Sequence, residues 1–85
     1  MKKRTEIMLV NSHTVLHRTV NGQARYYSLK IHPTLFQEFV LIREYGSNKN
    51  KKPTGVIQEY FTLFDEAVAK LMLLLNMKIK KGYRE

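Results

Sequence analysis

The alternation of apolar and polar residues predicts several strands in the first two thirds of the chain. The clearest example is residues 23–32, where every second side chain from Tyr27 to Ile31 is apolar, the period of a half-buried strand. Asn21-Gly22 lies just before this segment and favours a type I′ hairpin turn, because both central residues of that turn need a positive φ. We therefore predict that residues 14–20 and 23–32 pair as an antiparallel hairpin.

The two-residue turn fixes the register of that hairpin. Counting outward from the turn puts Leu16 opposite Tyr27 and Arg18 opposite Arg25. Two like charges that face each other across a strand pair are unfavourable. The pair is tolerable if water solvates both guanidinium groups, or if an anion lies between them.

Further strands are predicted on either side of the hairpin. Residues 39–45 and 56–61 are rich in β-branched and aromatic residues, which pack well on a pleated surface. Between them lies a basic loop, residues 46–55, that begins and ends with glycine. Near the start of the chain we predict a basic tail over residues 1–5 and a short strand over residues 6–10.

One amphipathic helix is predicted to follow the last strand. Thr62 fits its N-cap with Asp65 as the capping-box partner, and Gly82 fits the left-handed position just past its end. One apolar stripe should cover the inner face of the sheet, and it comprises Phe64, Val68, Leu71, Met72, Leu75 and Ile79. We predict an α+β fold, in which one long helix packs on one face of a twisted, mostly antiparallel sheet of four or five strands.

Length and composition limit what the protein does. Eighty-five residues form one domain, predicted over residues 6–85, and leave no room for a separate substrate domain. The chain has no cysteine, which excludes disulfides and thiolate metal sites. The apolar stretch at residues 7–10 is too short for a secretory signal, and no apolar run approaches the roughly 20 residues that span a bilayer. We expect a soluble cytoplasmic protein.

The chain carries a strong excess of positive charge. Fifteen Lys and Arg against seven Asp and Glu give a formal net charge of +8, which attracts polyanions such as nucleic acid, anionic lipid or an acidic protein face. Ten of the basic residues fall in three clusters: Lys2, Lys3 and Arg4; Lys49, Lys51 and Lys52; and Lys78, Lys80, Lys81 and Arg84. The clusters either form a polyanion-binding surface or serve as solvated termini and a solubilising loop.

Several short segments occur in the order and at the spacing of a known family. They are Tyr26-Tyr27-Ser28-Leu29, Tyr45-Gly46-Ser47 at a strand end, the basic turn Lys49 to Gly55, Glu66-Ala67 at the helix start and Lys80 to Tyr83 at its exit. Over roughly residues 23–83 the chain resembles a WGR domain. In the poly(ADP-ribose) polymerase version of that domain, the motif tryptophan packs on a sugar at a DNA end and the motif arginine supports contacts between domains.

The name-giving motif of the family is altered in this chain. Tyr45 stands in place of the tryptophan and Ser47 in place of the arginine, whereas Gly46 is retained. A tyrosine has the same kind of π-face for stacking, with less area, but a serine cannot supply a guanidinium. Tyr45 either stacks on a ligand or closes one edge of the core, and Gly46 is expected to give the strand a sharp exit through a positive φ.

The main functional prediction is a non-catalytic nucleic-acid-binding module, with DNA favoured. Its phosphate contacts and stacking platform are predicted to be Tyr45, Gly46, Lys49, Lys51, Lys52, Lys78, Lys80, Lys81 and Arg84. The alternative is a protein-interaction or self-association module, whose contact patch is formed by the helix residues Leu73, Leu74 and Met77.

The sequence offers no candidate catalytic group, metal site or cofactor site. His13 and His17 have the spacing of two metal ligands on a helix, but on a strand they lie roughly 13 Å apart. No nucleophile–base order, paired carboxylates or phosphate-cradling glycine loop is recognisable. We therefore expect no enzyme activity, no cofactor, no small-molecule substrate and no membrane partner.

Overall fold

The computed structural model describes residues 13–85, in which four strands precede one helix. The elements are β1 (His13–Val20), β2 (Gln23–Pro33), β3 (Phe39–Ser47), β4 (Gly55–Phe61) and α1 (Phe64–Lys80). The strands form one antiparallel sheet in the order β1-β2-β3-β4, and α1 packs across one face of it. The predicted α+β fold is confirmed. The tail and the strand predicted over residues 1–10 lie outside the described residues.

Turn chemistry explains the first hairpin. Asn21 and Gly22 have φ angles of 52° and 80°, so both occupy the left-handed region that a type I′ turn requires. The predicted register is confirmed, because Leu16 pairs with Tyr27 and Arg18 pairs with Arg25. The two arginines therefore lie side by side, on the face of the sheet that Leu16 and Tyr27 share.

The core lies between α1 and one face of the sheet, which we call the inner face. Its buried members are Leu16, Tyr27, Leu29, Ile31, Leu41, Ala67, Leu71 and Leu74. Half-buried aromatic residues close it at both ends of the sheet. Phe39 and Phe64 meet at one end with ring centroids 5.4 Å apart, and Tyr83 packs against Tyr27 at the other. The tyrosine end is the end at which α1 terminates.

The face of α1 that meets the sheet differs in part from the predicted stripe. The prediction is correct at Phe64, Val68, Leu71 and Leu75, which all pack on the core. It is wrong at Met72 and Ile79, each of which is 47% exposed. The reason is that residues 71–75 are all apolar, so hydrophobic periodicity does not define one face there. The buried face of α1 instead runs through Ala67, Leu71 and Leu74.

The orientation of α1 also changes which residues can belong to the predicted partner-binding patch. Leu74 is only 6% exposed and belongs to the core, so its assignment to that patch is wrong. Leu73 and Met77 remain on the surface, with 55% and 47% of their area exposed. An interaction surface on α1 can therefore use Leu73 and Met77 but not Leu74.

The N-terminus of α1 is less specifically capped than predicted. The capping position is Leu63, one residue later than Thr62, and no side chain donates or accepts a capping hydrogen bond there. The predicted capping box of Thr62 and Asp65 is therefore wrong. Asp65 and Glu66 still lie in the first turn, where their charges complement the positive end of the helix dipole.

The C-terminus of α1 ends as predicted at Gly82, which has a φ of 102°. The Tyr83 N–H donates to the Lys78 carbonyl and the Gly82 N–H donates to the Ile79 carbonyl, both at 3.0 Å. These two bonds form a Schellman motif, which satisfies carbonyls that the helix leaves unpaired. The chain reverses at this point and returns over the inner face of the sheet.

The residues after the helix are held against β1. The His17 N–H donates to the Arg84 carbonyl at 2.6 Å, and the Arg84 N–H donates to the His17 carbonyl at 2.8 Å. This short antiparallel bridge extends the sheet at the β1 edge. It also fixes the position of Tyr83, which is the residue immediately before the bridge.

Candidate nucleic-acid interface

The inner face of the sheet continues past the core toward the β3–β4 loop. Because side chains alternate between the two faces of a strand, Arg18, Arg25 and Arg43 share the face of the buried Tyr27. Tyr45 lies on this face too, directly opposite Tyr27. Strand pairing thus brings three guanidinium groups and two phenol rings together at the end of the sheet where α1 terminates.

Three tyrosines form a layer over this end of the core. The rings of Tyr27 and Tyr45 are stacked, with centroids 6.2 Å apart and planes at 19°. Tyr83 meets Tyr27 edge-on, with centroids 6.1 Å apart and planes at 61°. Tyr27 is 4% exposed whereas Tyr45 is 36% exposed. Tyr27 is therefore the buried base of the layer, and Tyr45 presents part of its ring to solvent.

Two glycines make room for this arrangement. Gly55 pairs with Tyr45 across β3 and β4, and a Cβ atom at position 55 would lie 2.4 Å from the Cζ and Oη atoms of the Tyr45 ring. The positive φ predicted for Gly46 is wrong, because β3 continues through that residue to Ser47. Close approach explains Gly46 instead, since a Cβ there would lie 3.0 Å from the backbone nitrogen of Thr54.

Positive charge is concentrated around the tyrosine rings. The Nζ atom of Lys78 lies 4.4 Å from the ring centroid of Tyr27 and 5.6 Å from that of Tyr83. The Cζ atom of Arg18 lies 5.9 Å from the Tyr83 centroid. All three distances fall within the range of cation–π attraction. Within residues 13–85 one ion pair forms, between Lys70 and Glu59 at 4.0 Å. The cations around the tyrosines therefore have no carboxylate partner in this part of the chain.

The charge state of Lys78 responds to this environment. Burial lowers the pKa of Lys78 below its usual value, and repulsion by Lys81, Arg43 and Arg18 lowers this pKa further. The folded domain therefore holds positive charges closer together than their mutual repulsion favours. A bound anion would relieve that repulsion.

Two openings flank the exposed edges of Tyr45 and Tyr83, and we call them together the Tyr45–Tyr83 cleft. The larger has a volume of about 340 Å³ and is lined by Gln23, Arg25, Tyr45, Gly46, Ser47, Asn50, Thr54 and Tyr83. The smaller has a volume of about 270 Å³ and is lined by Tyr27, Arg43, Tyr45, Ile57, Lys78 and Tyr83. Both openings combine aromatic surface with at least one cation, which suits a ligand that has a charged group and a flat or apolar group.

The predicted site residues do not all reach this cleft. Tyr45, Gly46 and Lys78 line it. The β3–β4 loop contributes Asn50 and Thr54 to its wall, whereas the three loop lysines, Lys49, Lys51 and Lys52, are exposed and flank it. Lys80, Lys81 and Arg84 are exposed at the helix exit and lie outside the lining. The loop and the helix exit thus meet at one end of the sheet, but Lys78 is the one predicted lysine that lines the cleft.

The set predicted from the sequence lacks several residues of the cleft region, among them the cations Arg18, Arg25 and Arg43 and the exposed-edge tyrosine Tyr83. The opposed pair Arg18 and Arg25 was recognisable, because the Asn-Gly turn fixes their register. Arg43 is two residues before Tyr45 and so shares its face. Tyr83 belongs to the segment Lys80 to Tyr83 that resembles the family, but its contact with Tyr27 depends on how the chain reverses at Gly82.

The variant Lys78→Met tests whether the positive charge of Lys78 destabilises the folded state. A lysine whose pKa is lowered on folding destabilises the fold below that pKa, and the penalty disappears as the pH rises through it toward 10.5. Methionine keeps the unbranched shape without the charge. We expect the free energy of unfolding at neutral pH to be unchanged or higher in Lys78→Met. Its rise between about pH 7 and pH 10.5 should be smaller than in the unmodified protein.

Urea titrations at both pH values measure this difference. Lys80→Met is the matched control, because it removes the same charge from an exposed position in the same helical turn. The control should keep the pH dependence of the unmodified protein. A clear loss of stability in Lys78→Met with an unchanged pH dependence would contradict the interpretation.

Comparison with known proteins identifies the family. The sequence model of the WGR domain matches residues 12–85, and the chain therefore belongs to the WGR domain family. The chain is also 38% identical over 63 residues to an uncharacterized protein, y4dW, of Sinorhizobium fredii. That alignment covers 74% of this chain and 30% of the relative, so the chain spans less than a third of the relative's length. No solved structure matches the chain.

Family membership bears on function at a coarse level. WGR domains bind nucleic acid in some proteins, and the domain by itself is non-catalytic. Within residues 13–85, no group of three or more histidine or acidic side chains is arranged to hold a metal ion. In the same part of the chain, no helix has the length and apolar character needed to cross a membrane.

Proposed function

We propose that this domain binds nucleic acid, with DNA favoured, through the Tyr45–Tyr83 cleft and the basic groups around it. The observation that carries the proposal is the set of cations at the tyrosine layer, Arg18, Arg25, Arg43 and Lys78, which have no carboxylate partner within residues 13–85. A polyphosphate chain supplies the missing negative charge. The binding requires no catalytic step.

The chemistry of the cleft divides between charge and stacking. Guanidinium groups bind phosphate oxygens through two parallel hydrogen bonds, so Arg25 and Arg43 hold the backbone in a defined orientation. The exposed part of the Tyr45 ring then packs on a sugar or a base, which is favourable for any base because each has a π-face. Such contacts position the nucleic acid and give affinity without choosing a sequence.

Arg25 compensates for the missing arginine of the family motif. Ser47 has no guanidinium, and its Oγ accepts a hydrogen bond from the Lys49 N–H at 3.2 Å, which orders the start of the β3–β4 loop. Arg25 is the direct cross-strand partner of Ser47 and lines the same opening. A guanidinium is therefore supplied to this position from β2 and not from β3.

The loop lysines extend the contact along the backbone. The loop is anchored at both ends, because the Asn48 N–H donates to the Ala24 carbonyl at 3.0 Å and the Thr54 N–H donates to the Tyr45 carbonyl at 2.8 Å. Between these anchors Lys49, Lys51 and Lys52 are exposed. They act as flexible point charges, which add affinity and salt dependence.

A fluorescence-anisotropy titration with labelled duplex and single-stranded DNA tests the proposal. If the four cations at the tyrosine layer neutralise about four phosphates, the affinity for duplex DNA should fall by roughly 10²-fold between about 50 and 200 mM salt. Comparison of the two DNA forms shows which geometry the cleft accepts. Absence of binding at the lower salt concentration, or an affinity that salt does not change, would overturn the proposal.

A further inference from the structure

We propose that two copies of this chain pair through their β4 strands, which joins their sheets into one eight-stranded sheet. The surface concerned is the free edge of β4 together with the side of α1 that faces it. Ile57 is shared between this surface and the smaller opening of the Tyr45–Tyr83 cleft, whereas Val56, Gln58 and Tyr60 lie on the opposite face of the sheet. The pairing does not depend on nucleic-acid binding.

The β4 edge is unprotected in the part of the chain that the structure describes. β4 is the last strand in the sheet order, so in residues 13–85 its outer backbone groups have no neighbouring strand. Its pairing with β3 is regular from Gly55 to Phe61, with no bulge. The strand contains no lysine, arginine or proline, and its one charged residue, Glu59, is paired with Lys70 of α1. The opposite edge, β1, is partly covered by the bridge to Arg84.

The β4 sequence is complementary to itself. Consider an antiparallel pair of β4 strands centred on Gln58. On the outer face of the sheet, opposite α1, Val56 then lies beside Tyr60 of the second copy, and Gln58 lies beside Gln58 of the second copy. A β-branched residue opposite an aromatic ring is a favourable cross-strand pair, and two side-chain amides hydrogen-bond to each other. Val56 and Tyr60 are 51% and 57% exposed and gain burial in the pair. No like charges face each other along β4.

The helix adds apolar surface along the same edge. The ion pair of Lys70 with Glu59 shows that the Lys70 side of α1 faces β4. Leu73 and Met77 lie three and seven residues further along α1, and so on that side. They are 55% and 47% exposed, and Ile57 on β4 is 39% exposed. A two-fold axis perpendicular to the sheet puts both helices on one face, with these apolar rows turned toward each other.

Charge is distributed in a way that permits this pairing. At the β4 edge the one acidic side chain, Glu59, is balanced by Lys70, whereas the unpaired cations gather at the tyrosine end of the sheet. Antiparallel pairing puts the two tyrosine ends far apart, at opposite ends of the joined sheet. Because it is mainly apolar, the association should strengthen or stay constant as salt rises, whereas binding to DNA should weaken.

Sedimentation velocity of the 85-residue chain over a range of concentrations tests the pairing. We expect a concentration-dependent dimer. Gln58→Lys places two like charges at the two-fold axis and should raise the dimer dissociation constant roughly tenfold or more. Gln58→Glu alone should do the same. An equimolar mixture of the two variants should form a heterodimer with an affinity near that of the unmodified protein.

Thr19→Lys is the matched control, because it adds the same charge to the same face of the sheet at the other edge, in an exposed position of β1. It should leave the dimer unchanged. The folded monomer tolerates the changes at Gln58, since this exposed side chain has one weak contact, a 3.5 Å hydrogen bond from the Tyr60 hydroxyl. A protein that stays monomeric at high concentration, or a dimer that both Gln58 variants leave intact, would overturn the inference. DNA binding would survive either result.

Discussion

Replacement of both Arg25 and Arg43 by glutamine should weaken DNA binding by roughly 10²-fold, because each lost charged hydrogen-bonding group contributes about 1.5 kcal/mol. The two arginines line the two openings of the Tyr45–Tyr83 cleft, one in each. The slope of log affinity against log salt should also decrease in magnitude by about 2, one for each phosphate contact removed. Anisotropy titrations at several salt concentrations measure both quantities.

A double variant elsewhere on the surface separates local contacts from net charge. Lys30→Gln with Lys70→Gln lowers the charge by the same amount, but Lys30 lies on the opposite face of the sheet and Lys70 pairs with Glu59. The pair of Lys70 with Glu59 is partly exposed and its N–O distance is 4.0 Å, so it contributes little stability and the fold should be retained. We expect this variant to lose less than about threefold in affinity. Equal losses in the two double variants would mean that binding follows overall charge and that the cleft has no special role.

Leu74→Ala should lower the free energy of unfolding by about 2–4 kcal/mol, whereas Met72→Ala should lower it by less than about 1 kcal/mol. Leu74 is 6% exposed and packs in the core, so its truncation leaves a cavity beneath α1. Met72 is 47% exposed, and its loss uncovers little apolar surface. Urea or guanidinium denaturation of both variants gives the two values.

The comparison distinguishes between two rotations of the same helix. The hydrophobic pattern of the sequence favours Met72 as the core residue, whereas the structure buries Leu74. The denaturant dependence of the unfolding free energy should be similar in both variants, which would show that truncation does not change the unfolded state. A larger loss in Met72→Ala than in Leu74→Ala would mean that α1 is rotated from the orientation described.

Elements with one dominant local signal were predictable from the sequence. The Asn21-Gly22 turn determined the register of the first hairpin, because few residues other than glycine and asparagine accept a positive φ at both positions. Gly82 marked the end of α1 for the same reason. The rotation of α1 was not predictable, since the apolar run at residues 71–75 is compatible with more than one buried face.

The candidate site was predictable where it depends on local clusters and not where it depends on tertiary position. Tyr45 and the basic loop were recognisable from the family resemblance and the charge pattern. The turn makes the opposition of Arg18 and Arg25 predictable. Their closeness to Tyr45 is not predictable, because it depends on the pairing of β2 with β3, which no local turn signal fixes. Gly46 was assigned the wrong role, since close approach by the Thr54 backbone leaves no signal in the sequence.

The most direct test of the proposed interface is a chemical-shift titration of the isotope-labelled protein with a short DNA duplex at low salt. Binding at the cleft predicts the largest shifts at Arg25, Arg43, Tyr45 and Tyr83, with smaller shifts in the β3–β4 loop. Lys30 and Gln58, on the outer face of the sheet, should be unaffected. Shifts centred on the outer face, with the cleft residues unchanged, would contradict the proposed binding surface.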